Sequence, residues 1–174
     1  MEIWWQQDVQ LYQQILSAAH SIEKIRKNKV NESIVGIFCY VQLLLSCVGN
    51  ISKLLQNNNA YREHLNLDLD RIPNISYRFI RNMNEHIDER INNPVSISLF
   101  YSDMSLRNKR CKDNDISIPQ RNFVIDCEML EFIDSRNGLM TVKIEDVEHE
   151  LNYLSKLKPI AYVVERYSGF DKIF

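Results

Sequence analysis

Glycine and proline are scarce in this chain, with 4 of each among 174 residues, and their scarcity argues against a long disordered tract, because such tracts are rich in both. Cysteine is equally sparse. Cys39, Cys47, Cys111 and Cys127 form no CxxC pair, and no Cys/His spacing suits a zinc finger, so all read as reduced thiols, with Cys39 and Cys47 expected in the core. Neither sign of charge dominates. A formal net charge of -2 supplies no global attraction to nucleic acid, so any RNA or DNA contact needs a local basic surface.

Long apolar runs are also missing. The stretch Ile34 to Val48 is interrupted by Gln42 and falls short of the roughly 18 apolar residues that a spanning helix needs, so a buried bundle helix is expected there and no membrane. The opening Met1-Glu2-Ile3-Trp4-Trp5-Gln6 has no basic region followed by an apolar run. It does not read as a secretory signal, and a cytoplasmic location is expected. No phosphate-binding glycine loop, serine nucleophile motif or pair of zinc histidines appears, and no cofactor is expected.

What is present is ordinary globular composition, 45% hydrophobic and 25% charged, in a length that suits one domain over 1–174 with room for a sizeable core. Val9, Tyr12, Leu16, Ala19, Ile22 and Ile25 recur at three- and four-residue steps, which predicts a helix over about Trp5 to Lys27. Lys24, Arg26, Lys27 and Lys29 crowd its end, where the helix dipole favours positive charge. A second helix is expected over Asn31 to Gln56, apolar around most of its circumference. Asn57-Asn58-Asn59 breaks the pattern, and the stretch to Arg71 reads as a connection with room for a short helix. Pro73-Asn74 starts a third long helix that Asn92-Asn93-Pro94 stops.

Beyond Pro94 the period changes. Ser96 to Tyr101 alternates and Phe123 to Cys127 is β-prone, while Phe132 to Asp134 and Leu139 to Ile144 flank Ser135-Arg136-Asn137-Gly138, a strong hairpin signal. A small antiparallel β insertion over 95–144 is therefore expected before the last long helix. Val147, Leu151 and Leu154 mark that helix, which Pro159 ends. The fold class is mainly α: a helical bundle over 5–92 and 145–158, with the tail to Phe174 unassigned.

Winding Ser76 to Ile91 at about 100° per residue, with Arg81 at zero, puts Ile80, Met83, Ile87 and Ile91 in one sector between roughly 200° and 280°. That sector is the core face. On the same wheel Glu85, Glu89, Asn82 and His86 fall at about 40°, 80°, 100° and 140°, so with Arg81 they make a continuous polar face. An ordinary solvated face is one reading, since Arg81 can pair with Glu85 and His86 can meet Glu89 or Arg90.

The other reading comes from a resemblance. Arg81-Asn82-x-x-x-His86 on the third helix, behind two long helices, resembles the HEPN superfamily (higher eukaryotes and prokaryotes nucleotide-binding), helical bundles carrying Arg, a polar residue, and then His. The run Glu85-His86-Ile87-Asp88-Glu89-Arg90 is also similar to prokaryotic members. The resemblance covers Trp5 to Asn92 and the last long helix, not the β segment. It implies a metal-independent ribonuclease of a toxin–antitoxin, phage-defence or RNA-processing system, working as a homodimer with paired motifs in one cleft. A protein antitoxin or regulator is a further implied partner. Catalytic Arg81 and His86, assisted by Asn82, would follow. A toxin subgroup carries Tyr two residues after the His, where this chain has Asp88.

Arg107, Lys109, Arg110 and Lys112 form a basic stretch that would serve RNA phosphates, although a solvated loop is the better explanation of a charge run. His20, His64 and His149 lack a ligand-like companion in sequence and read as surface or partly buried residues. Trp4 and Trp5 are expected to cap the bundle core. Glu145, Asp146, Glu148 and Glu150 suit the start of their helix and call for no metal.

Overall fold

A computed structural model describes residues 2–31, 34–76, 100–102, 123–125, 128–134 and 138–168. Helices α1 (Trp5–Asn31) and α2 (Ile34–Gln56) form the scaffold. They run antiparallel, since Asn50 Nδ2 donates to Gln14 Oε1 at 3.4 Å and the His20 and Tyr40 rings lie 6.5 Å apart. Between them lies the core, with Leu11, Ile15, Ala18, Ile22 and Ile25 from α1 facing Ile37, Val41, Leu44, Val48, Ile51 and Leu55 from α2. Each is a residue whose removal from water stabilises by about 1.5–3 kcal/mol when large and aliphatic.

The buried stripe of α1 differs from the expected one in its first half. Asp8, Leu11, Ile15 and Ala18 point inward, whereas Leu16 is 49% exposed and Ala19 is exposed. Both rows obey the helical period; a carboxylate at the head of the true row disguised it. Cys47 is buried as expected, but Cys39 is exposed on the outer face of α2. Burial pushes the Cys47 thiol above its ordinary pKa.

After α2 the chain turns into α3 (Asn59–Leu65). The asparagine run that reads as a break supplies the cap: Asn58 accepts a hydrogen bond from Tyr61 N–H at 3.0 Å. Asn66 closes the helix in the left-handed region at φ 51°, where asparagine is tolerated better than most residues. A 3-10 turn, Leu69–Arg71, then leads to α4 (Pro73–Ser76), the start of the third helix that the sequence predicts. Residues 77–99 lie outside the described residues.

Four strands follow in the order β1 (Phe100–Ser102), β2 (Phe123–Ile125), β3 (Met129–Asp134) and β4 (Gly138–Lys143). The expected hairpin is β3–β4, antiparallel from Met129↔Lys143 to Asp134↔Gly138. β2 joins β3 antiparallel, but β1 pairs with β2 in parallel, so the sheet is antiparallel except at one edge. Alternation of side chains marks a strand without fixing its partner's direction. The facing pair Leu130 and Val142 buries the sheet against the helical core.

β4 runs directly into α5 (Ile144–Ser155), whose Val147, Leu151 and Leu154 are buried as expected. Pro159 does not end this helix. After a turn at Lys156–Leu157 it is the second residue of α6 (Lys158–Ser168), where the missing N–H costs nothing. The tail thus adds a further helix to the bundle. α6 lies alongside α1 in the same sense, with Tyr162 edge-on to Trp5 at 6.1 Å and Tyr167 beside Tyr12 at 6.3 Å. No helix among the described residues is long and apolar enough to cross a membrane.

Candidate functional site

Arg81, Asn82 and His86 lie outside the described residues, as do Arg107, Lys109, Arg110 and Lys112. What is described is α4 (Pro73–Ser76), which ends five positions before Arg81 in sequence. Its first turn is tied down on two sides. The Glu150 carboxylate of α5 accepts from Asn74 N–H at 3.0 Å, from Asn74 Nδ2 at 2.7 Å and from Ile75 N–H at 2.8 Å. From α2, Gln56 Nε2 donates to the Ser76 carbonyl. The first N–H groups of any helix lack partners within it, and here a residue 75 positions away in sequence satisfies them.

Glu150 is only 6% exposed, and where the sequence reads it as suited to the start of its own helix, the structure has it serve a different one. A carboxylate removed from water is tolerated when both oxygens accept hydrogen bonds, and both do. Its acidic neighbour Glu148 faces elsewhere, bonding Arg26 Nη1 at 2.8 Å, with Glu128 3.8 Å from the same guanidinium. That basic residue therefore ties α1 to α5 and the turn before β3, beyond its place at the helix end.

A second polar centre joins α1 to α3. Asp8, 4% exposed, accepts from the Tyr61 hydroxyl at 2.9 Å and meets His64 Nε2 at 3.1 Å. Trp4 closes over the pair, its ring 5.5 Å from Tyr61 and 6.0 Å from His64. Burial, then the adjacent Asp8 carboxylate, pushes the Tyr61 phenol well above its ordinary pKa. His64 is partly buried, as expected, but it does have a companion. The sequence carried one signal of it: a carboxylate at position 8 on the inward row of α1 needs a partner.

This Asp8–His64 contact holds the imidazole against the Trp4 and Tyr61 rings and turns one of its nitrogens inward. No nucleophile is among its described contacts, and its chemistry is that of a clasp. His20 and His149 are exposed, near Glu23 at 3.9 Å and Glu145 at 3.8 Å respectively. No group of three or more His, Cys, Asp or Glu suited to a metal ion occurs among the described residues. A shallow depression of about 380 Å³ sits beside α3, lined by Asn59, Arg62, Glu63, Asn66, Leu67 and Asp68. Arg62 there is engaged with the Leu55 and Gln56 carbonyls at 2.8 and 3.0 Å, closing the end of α2. Set against protein-family models, curated proteins and solved structures, the chain matches none of them.

Proposed function

We propose that this chain is a HEPN-type, metal-independent endoribonuclease of the cytoplasm, homodimeric, with Arg81 and His86 as catalytic residues and Asn82 assisting. The observation that supports it is the order of elements: a long antiparallel helical hairpin, a connection that holds the short helix α3, and α4, which begins at Pro73. The Arg-Asn-x-x-x-His sequence follows soon after, where the resemblance calls for it.

The residue types suit the reaction. Histidine titrates near neutral pH, so His86 can move the proton of a ribose 2′-hydroxyl or of the departing 5′-oxygen. Arg81 binds the phosphate and stabilises the charge that builds on it. Asn82 orients the imidazole or contacts the phosphate. The basic residues Arg107, Lys109, Arg110 and Lys112 would hold flanking phosphates. Attack by the 2′-oxygen on phosphorus expels the 5′-oxygen, leaving a 2′,3′-cyclic phosphate and a 5′-hydroxyl. DNA lacks that nucleophile and survives. In the cell such an enzyme would act as a toxin or phage-defence effector restrained by a protein antitoxin.

The test is labelled single-stranded RNA incubated with purified protein in excess chelator, followed by end-group analysis. Wild type cleaves; His86→Ala and Arg81→Ala do not, with the fold preserved. Complete dependence on added metal, or equal residual cleavage by His86→Ala, rejects the mechanism. No cleavage across varied RNAs favours a non-catalytic module of the same fold that binds RNA, a nucleotide or a protein partner.

A further inference from the structure

A helix joined to a strand without a linker feels what happens to the strand. β4 ends at Lys143 and α5 begins at Ile144, whose N–H donates to the Glu128 carbonyl at 2.8 Å and so carries the β3–β4 ladder one step into the helix. Leu130, Val142, Ile144 and Val147 are all buried, so hairpin and helix share the core. From α1, the Arg26 guanidinium meets Glu128 at 3.8 Å and Glu148 at 2.8 Å, bracing the same junction from outside.

Glu150 stands about 9 Å along α5 from that junction. One of its oxygens accepts from Asn74 N–H and Asn74 Nδ2, the other from Ile75 N–H. Few rotamers serve three donors at once, and the buried Val147, Leu151 and Leu154 beside it restrict them further, so a shift of α5 must either carry α4 with it or break these bonds. On its other side α4 is held by Gln56, which donates to the Ser76 carbonyl. We propose that Glu150 couples the β3–β4 hairpin to α4 through α5: loosening the hairpin loosens the turn of α4, and removing the carboxylate uncouples the two. This coupling makes no use of the ribonuclease reading.

Amide hydrogen exchange, resolved by NMR, tests it at the Ser76 N–H. That amide bonds the Ile72 carbonyl at 2.8 Å, within the turn, so it reports on α4 without being one of the donors to Glu150. Val142→Ala opens a cavity beneath β4, at the far end of the coupled unit. Alone it should speed Ser76 exchange by about threefold or more. Glu150→Ala alone should speed it by about tenfold or more, as hydrogen bonds to a charged acceptor are lost. The two combined should match Glu150→Ala, because the hairpin no longer reaches α4. Val163→Ala, an equal truncation of a buried valine in α6, should leave Ser76 within about twofold of wild type. If Glu150→Ala does not fold, Glu150→Gln replaces it in the cycle, keeping the side-chain shape while setting an N–H₂ against a backbone donor. Three results overturn the proposal: Ser76 exchange unchanged by Val142→Ala, an acceleration by Val142→Ala that is the same with and without the Glu150 carboxylate, or an equal acceleration by Val163→Ala.

Discussion

Replacing Tyr61 by Phe is the cleanest probe of the clasp between α1 and α3. The ring stays, and with it the contacts to Trp4 at 5.5 Å and His64 at 5.8 Å; only the hydroxyl that donates to Asp8 at 2.9 Å is lost. Asp8 is 4% exposed, so water cannot replace the donor without opening the packing. A hydrogen bond to a charged group contributes about 1.5–3 kcal/mol. For a chain of this size that corresponds to a fall in Tm of about 3–12 °C, read by circular dichroism.

The same substitution has a signature in pH. Folding holds the Tyr61 phenol protonated above its ordinary range, where the unfolded chain gives the proton up at about 10. Its contribution is therefore fully present below about pH 10 and is lost as pH rises towards the raised folded value. Urea midpoints of wild type should fall more steeply above about pH 10 than those of Tyr61→Phe. A Tm within about 1 °C of wild type, or ionisation of all 8 tyrosines in the native protein at the ordinary phenol pKa, would refute the reasoning.

Three further outcomes are expected. Ile15→Ala should cost about 2–5 kcal/mol and Leu16→Ala less than about 1 kcal/mol, because Ile15 is buried and Leu16 is 49% exposed; equal losses in chemical denaturation would contradict the register of α1. On the wheel drawn for Ser76 to Ile91, Ile87→Asp should unfold or severely destabilise the chain while Glu89→Ala shifts stability by less than about 0.5 kcal/mol, and similar melting temperatures would contradict that wheel. Light scattering at high micromolar concentration should give a homodimer, and a strictly monomeric protein would sink the composite cleft though not the bundle.

Periodicity reveals that a helix exists more readily than which way it faces. α1 and α2 were legible in the steps of Ile22, Ile25, Val41, Leu44 and Val48, yet α1 offers two apolar rows one residue apart: Val9–Tyr12–Leu16 and Leu11–Ile15–Ala18. The choice between them belongs to the neighbours. α2 takes the second row, and α6 covers part of the first through Tyr162 and Tyr167. Pro159 carries the same ambiguity, because proline both stops a helix and suits a helical first turn. The hairpin β3–β4 was readable from Asn137-Gly138 because a tight turn is local, while the parallel β1–β2 pairing is not. Polar contacts made across long loops were the least visible. Asp8 and Glu150 each interrupt an apolar row of their own helix, and that interruption is the only trace in sequence of partners 53 and 76 residues distant.

The two rows of α1 also set an order of events during synthesis. Its inner row finds α2 almost as soon as both leave the ribosome, since their contacts are close in sequence and hairpins of helices close quickly. Its outer side, with Trp5 and Tyr12, waits for α6, which starts at Lys158, well after α1 ends at Asn31. At about 5–20 residues per second that interval is roughly 6–25 s. For that time the nascent hairpin carries a strip of uncovered apolar surface, and the same strip that finally seats the last helix is the one a chaperone would hold in the interim.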